Sequence, residues 1–321
     1  MLYPRNLEQK INFIKIKELL KTECTSPLGQ QYVDRLTFSS DYNLVTRLLD
    51  QTEEFRQILI SGDLFPSSNF TNLNPYLEKA KLENAFLDLE DFHEIKLSLE
   101  TIRGCINFFQ KREEEYPVLS QLLGLLIDLD MSLLKAIELI IDEKGKMRIN
   151  ASRELQLIRT QILYEESRLR KVMDRVFKEA KAKGLTTEDS AITVRSGRLV
   201  IPIAAENKRK LRGFIHDESA TGQTVFMEPE EALDINNEIR DLEYMERREI
   251  IKILTQLTDK VRPAIPALRK ATNFLGLMDF IRAKARFAQK TDSCRPEITK
   301  ERQLTWTKAR HPLLEMALKS Q

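Results

Sequence analysis

Between residues 195 and 212 the chain carries six cations against one carboxylate, Glu206. Lys208, Arg209, Lys210 and Arg212 form the dense part of this cluster, with Arg195 and Arg198 ahead of them. Grouped cations neutralise phosphates and release counterions, and this chemistry needs no fixed geometry. The nearby aromatics are Phe214 and Phe226, too few to make base stacking the leading expectation. A solvated basic loop between two strands would show the same residues. Hydrolytic chemistry is poorly supplied. His216-Asp217 with Ser219 close by has the outline of half a triad, but a hairpin Asp and Ser more commonly bond local backbone. His93, His216 and His311 lie far apart in the chain. Glu230-Glu231 and the run Glu113-Glu114-Glu115 read as charged helix faces, the first pair suited to a helix dipole. Cys24, Cys105 and Cys294 are odd in number and show no CxxC spacing, which favours neither a disulfide framework nor a zinc site. Cys24 and Cys105 sit in helical patterns as small core residues, and Trp306 is expected to be buried. No GxxxxGK[ST], GxSxG, HExxH or GxGxxG occurs. The residues therefore predict no catalytic group, no metal site and no cofactor in this chain.

Most of the elements that would carry the basic cluster are helical. Leu7, Ile11, Ile14 and Leu19 keep roughly helical spacing, with Ser26-Pro27-Leu28-Gly29 as punctuation. Asp41 or Ser40 is placed to cap a helix through Leu44, Leu48, Leu49, Phe55 and Ile58. Residues 61–75 read as a loop, 88–112 and 117–129 as helices split near Tyr116-Pro117, and 141–149 as a turn around Gly145. From 150 to 183 the pattern changes. Leu155, Ile158, Ile162, Leu169, Val172 and Val176 follow a 3-4 heptad stripe interrupted by Glu165, which predicts a coiled-coil arm. A second long helix begins near Pro229 and carries Ile235, Ile239, Leu242, Ile250, Ile253, Leu257 and Val261 to about Arg262-Pro263. Two arms of similar length joined by a compact insert fold back antiparallel. The insert reads as four short strands: 191–204 around Ser196-Gly197, and 211–229 around Ala220-Thr221-Gly222. A last helix over 265–290 follows.

Composition bounds the function class. Ten glycines in 321 residues is under half the usual share of ~7% and argues against a doubly wound nucleotide-binding fold. Fifty-one basic against 49 acidic residues leave a net charge of +2, so any polyanion binding rests on local clustering. The start MLYPRNLEQK lacks an apolar signal core, and no run of about 18 apolar residues occurs. A cytoplasmic protein with no membrane segment and no small-molecule substrate is the expectation.

The segment GFIHDESATGQTVFMEP (213–229) closely resembles the clamp of MutS proteins. RSGRLVIPI (195–203), KRKLRGF (208–214) and NNEIRDLEYMERREI (236–250) are similar to the clamp and returning lever helix of the bacterial MutS-two family, the Smr-bearing MutS paralogues. SPLGQQ (26–31) and LLDQTEEFRQIL (48–59) look like that family's opening helices, and ARHPLL (309–314) resembles the entry to the MutS ATPase domain. The resemblance covers nearly the whole chain. It implies a mainly α fold: a helical core (1–149), a lever helix outward (150–183), a β clamp at its tip (184–228), a lever helix returning (229–262), a core helix and connection (263–304), and the start of an ATPase domain (305–321). It also implies a homodimer that closes around nucleic acid, with ATP and Mg held by a domain these residues do not contain. The ATPase and possible Smr endonuclease activities of the family belong to that missing part, and domains that read mismatches have no counterpart here. The family's roles supply the leading function, a grip on branched or duplex DNA in suppression of recombination. The alternative is engagement of collided ribosomes for subunit splitting. A coiled-coil dimerisation scaffold is the reading from a third class.

Overall fold

The structure, a computed structural model, describes residues 6–186, 189–301 and 303–319. Thr187 and Glu188 of the insert, and the chain ends 1–5 and 320–321, lie outside the described residues, as does Arg302. The fold is mainly α with one small four-stranded antiparallel sheet. It divides into two compact units, residues 1–146 with 255–321, and residues 147–254.

The first unit opens with α1 (Leu7–Lys10) and α2 (Phe13–Glu23), separated at Asn12 in the left-handed region. Helix α3 (Pro27–Asp34) starts where punctuation was expected. Ser26 accepts from Gly29 N at 3.1 Å and Pro27 takes the first turn, so the four residues form an N-terminus. Helix α4 (Tyr42–Ser61) is capped by Asp41, which accepts from Asn43 N and Leu44 N, and it stops at Gly62 with φ 76°. The following loop is not a solvated one. Phe70 and Leu73 are buried, and the Phe65 ring lies 5.0–5.7 Å from those of Phe55, Phe108 and Phe109. Helix α5 (Asn74–Lys81), which the sequence pattern does not predict, follows directly.

Helix α6 (Leu89–Gln110) is the apolar centre of this unit. A capping box between Asp88 and Asp91 starts it, and Phe92, Ile95, Leu99, Ile102, Cys105 and Phe109 are fully buried along it. The expected helix over 117–129 is instead one α turn, α7 (Pro117–Ser120), tightening into a 3-10 segment through Leu126. Helix α8 (Ser132–Ile140) leads to the turn at Gly145, with φ 76°.

The second unit is built on α9 (Arg153–Ala182), capped by Ser152. Strands β1 (Thr193–Arg195), β2 (Arg198–Ala204), β3 (Gly213–Glu218) and β4 (Thr224–Pro229) follow, and then α10 (Glu230–Lys290). Within this unit α9 and α10 run antiparallel. Ser152 donates to Glu249 at 2.9 Å, Arg159 to Glu246 at 2.6 Å, and Arg175 pairs with Glu231, so one residue number falls as the other rises. The seam buries Leu155, Ile158, Leu169, Met173 and Val176 from α9, with Ile235, Leu242, Ile253 and Leu254 from α10. Glu165 does not interrupt this stripe by facing water. It is 4% exposed, in a seam position, with Arg168 donating to it at 3.1 Å.

The largest departure from expectation is α10, which does not end at Arg262-Pro263. It continues for 61 residues with Pro263 and Pro266 inside. An internal proline costs about 3 kcal/mol through its lost N–H and its clash. Packing offsets this. Leu257, Val261, Ile265, Leu268, Ala271 and Phe274 are all buried on one side, at roughly 1.5–3 kcal/mol for each large apolar side chain. Beside the prolines Arg262 donates to the carbonyls of Ala80, Leu82 and Ala85, and Thr258 accepts from Leu87 N at 3.0 Å. Farther along, the fully buried Asp279 accepts from the backbone and hydroxyls of Thr25 and Ser26 at 2.7–3.0 Å. The chain closes with α11 (Pro312–Lys319). Trp306 is 77% exposed, not buried as expected, because it lies in an irregular stretch between α10 and α11. Cys105 is a core residue, whereas Cys24 is only half-buried. Among the described residues no helix is long and apolar enough to cross a membrane.

Candidate nucleic-acid interface

The sheet order is β1-β2-β4-β3, all antiparallel. Both expected hairpins form. The first turns at Ser196 (φ 51°) and Gly197 (φ 77°), which place two successive residues in the left-handed region, as a two-residue hairpin of the primed type requires. The second turns through 219–223, where Gly222 has φ 69°. Pairing of β2 with β4 joins the hairpins. One face, Ile201, Ile203, Val225 and Met227, packs on Leu169, Met173, Val176 and Ala180 of α9 and Ala232 and Ile235 of α10. The sheet is thereby fixed to the end of α9 and the start of α10.

Because β4 lies between β2 and β3, the link from β2 to β3 must cross from one end of the sheet to the other. This crossover, residues 205–212, carries the dense part of the basic cluster. A 3-10 turn over Ala205–Asn207 begins it. Buried Asn207 donates to Gly184 O at 3.4 Å, Leu211 packs against the sheet core, and Arg212 O accepts from Glu230 N at 3.1 Å. The backbone is tied at both ends, while Lys208, Arg209, Lys210 and Arg212 are exposed. None of the four makes an ion pair among the described residues. Lys210 and Arg212 line a hollow of about 390 Å³ together with Lys183 and with Glu179, Glu230 and Glu231, of which Glu231 is already paired with Arg175. Lys208 and Arg209 do not line that hollow.

The other two expected cations are placed differently. Arg195 lies 4.3 Å over the Phe226 ring, and its Nε is 3.2 Å from Asp217. Arg198 is directed inward. It donates to both carboxylate oxygens of Glu228, at 2.7 and 2.9 Å, and to Asn237 at 2.6 Å. Glu228 is fully buried and is also 2.6 Å from His216 Nε2 and from Asn236 Nδ2. A buried carboxylate is tolerated only when its oxygens are fully bonded. Arg198 therefore anchors the sheet to α10 and has little free charge to offer a phosphate. Sequence reasoning missed this network, although a Glu inside the apolar run VFMEP was its signal.

The fragmentary triad dissolves in the structure. Asp217 accepts from Glu218 N at 2.9 Å, Ser219 Oγ accepts from Thr224 N at 3.0 Å, and His216 faces Glu228. No group of three metal-ligating side chains is found among the described residues. What remains is a surface able to hold an anionic backbone.

The antiparallel helical pair carrying a small sheet built on the HDESATGQTVFMEP strand-turn-strand is the arrangement that the resemblance to MutS clamps implies. No protein-family model matches the chain. It is 33% identical over 313 residues to Endonuclease MutS2 of Lactococcus lactis subsp. lactis, covering 97% of the chain and 39% of that protein. Endonuclease MutS2 of Staphylococcus carnosus is 33% identical over 319 residues, with 96% and 39% covered, and that of Listeria monocytogenes serotype 4a is 32% identical over 320 residues, with 98% and 40% covered. Over the region it spans, the chain is similar to proteins of the MutS-two family. It spans about two fifths of the length of these relatives.

Proposed function

We propose that the chain is the core-and-clamp part of a MutS-type protein, and that it grips nucleic acid through the β2–β3 crossover without reading sequence. The observation that carries this is the contrast within the cluster: Lys208, Arg209, Lys210 and Arg212 are exposed and without an ion pair among the described residues, while Arg198 is bound to a buried carboxylate. Exposed cations on a backbone tied at both ends suit phosphate contacts, which position a protein on a duplex but carry no base information. Helices α9 and α10 would act as the lever that links the clamp to an ATP-driven domain, in a dimer that closes around branched or duplex DNA in suppression of recombination. A small hinge rotation at one end of a stiff pair gives a large displacement at the other.

The test compares the wild-type chain with the Lys208→Ala, Arg209→Ala, Lys210→Ala triple variant on duplex and branched DNA of several sequences. The expected result is weaker binding on every sequence alike. Unchanged affinity contradicts the proposal. Competition between branched DNA and stalled ribosomes distinguishes DNA from ribosomal RNA as the backbone held, since the same cations serve both.

A further inference from the structure

The side of α10 that faces away from α9 carries a second cationic surface. Ile235, Leu242 and Glu249 mark the buried side of this helix. At ~100° per residue, Arg240, Tyr244, Arg247, Arg248 and Ile251 fall on the opposite side. The three arginines are exposed and make no ion pair among the described residues. Tyr244 is 51% and Ile251 45% exposed, a combination that solvent alone does not favour.

Two adjoining hollows meet at Tyr244 and Arg247, which line both. One, of about 480 Å³, is bounded by Tyr244, Met245 and Ile251, with Arg247, Arg248 and Asp241 at its edge. The other, of about 200 Å³, lies between α10 and the Ser196-Gly197 turn and includes Arg240 and Glu243. Each hollow holds more cations than carboxylates. An exposed phenol ring between two cation-edged hollows offers a flat apolar face and phosphate-binding groups within one side-chain length. A nucleotide presents the same pair of features, a planar base and an anionic phosphate. In a duplex the base faces are stacked and hidden, whereas an unpaired strand exposes them.

We propose that the outer face of α10 from Arg240 to Ile251 binds a single-stranded nucleic-acid segment, with an unpaired base stacked on Tyr244 and its flanking phosphates held by Arg240, Arg247 and Arg248. This site is separate from the crossover cations and shares with the preceding reading only the premise that the chain handles nucleic acid. A branched substrate offers both components, a duplex arm for the crossover and an unpaired junction for α10.

The experiment measures binding of the full chain to fluorescent oligothymidylate and to a blunt duplex. Tyr244→Ala is expected to weaken oligothymidylate binding by about tenfold and to leave duplex affinity within about twofold. Tyr244→Phe, which keeps the ring, restores it. The pair Arg247→Ala, Arg248→Ala weakens the single strand further. Tyr244 is exposed, so loss of folding does not account for such an effect, and circular dichroism of each variant checks this. No binding of oligothymidylate, equal losses on both substrates, or no loss with Tyr244→Ala overturns the inference. The crossover triple variant separates the two readings. If it retains duplex binding while Tyr244→Ala loses the single strand, the crossover proposal fails and the α10 site stands.

Discussion

Removing the Glu228 carboxylate isolates the contribution of the network that joins the sheet to α10. Glu228 is fully buried and receives Arg198, His216 and Asn236, the Arg198 side chain itself being 13% exposed. In Glu228→Ala the guanidinium loses its counter-charge in a site water hardly reaches, and two further donors lose their acceptor. Breaking one side of a buried pair costs about 3–5 kcal/mol. Glu228→Gln keeps the volume and one carbonyl acceptor but loses the charge, for about 2 kcal/mol. Tryptophan emission does not report on this, because Trp306, the single tryptophan, belongs to the other compact unit. Amide hydrogen exchange read by mass spectrometry resolves the sheet directly. Protection across 198–204 and 213–229 is expected to fall roughly a hundredfold or more in Glu228→Ala, with Glu228→Gln between it and wild type and α6 unchanged. Wild-type protection in Glu228→Ala would refute the assignment of Arg198 and Glu228 as a structural anchor.

Gly29→Ala is expected to destabilise the first unit by about 1–3 kcal/mol, because the added Cβ would sit 2.4 Å from the fully buried Asp279 carboxylate that holds Thr25 and Ser26. A thermal melt followed by circular dichroism measures this. Burial pushes the Lys284 ammonium down from 10.5 to about 8, so between these values the unfolded chain binds more protons than the folded one. Lys284 therefore contributes a rise in stability as pH climbs from 8, opposed above pH 9 by Cys24 and Cys105, whose thiols burial pushes up to about 12. Lys284→Met is expected to raise the thermal midpoint at pH 7 and to flatten that rise, and melts across pH check both.

Periodic and turn-forming features were legible in the sequence. The α9 stripe is set by Leu155, Ile158, Leu169 and Val176, and both hairpins are set by residues that tolerate positive φ, so local chemistry sufficed. What could not be read depends on distant partners. The passage of α10 through Pro263 and Pro266 follows from contacts with Ala80, Leu82, Ala85 and Leu87, far away in the chain. Helix α5 is a short element whose buried Leu77 and Ala80 give too few turns for a period to show. In the candidate interface the crossover cations were found by charge density alone. The same density grouped them with Arg198, since a charge count cannot see that Glu228 and Asn237 converge on it. The outer face of α10 was not read because its arginines alternate along the sequence with Glu238, Asp241, Glu243 and Glu246, and only the helix turns Glu238 and Glu246 away while Asp241 and Glu243 stay beside them.

The crossover account is tested most directly by the salt dependence of duplex binding. Each phosphate neutralised contributes about 0.9 to the slope of log affinity against log salt. Replacing Lys208, Arg209 and Lys210 by alanine is expected to lower that slope by about 2–3. An identical slope in the triple variant and the wild-type chain would contradict the account.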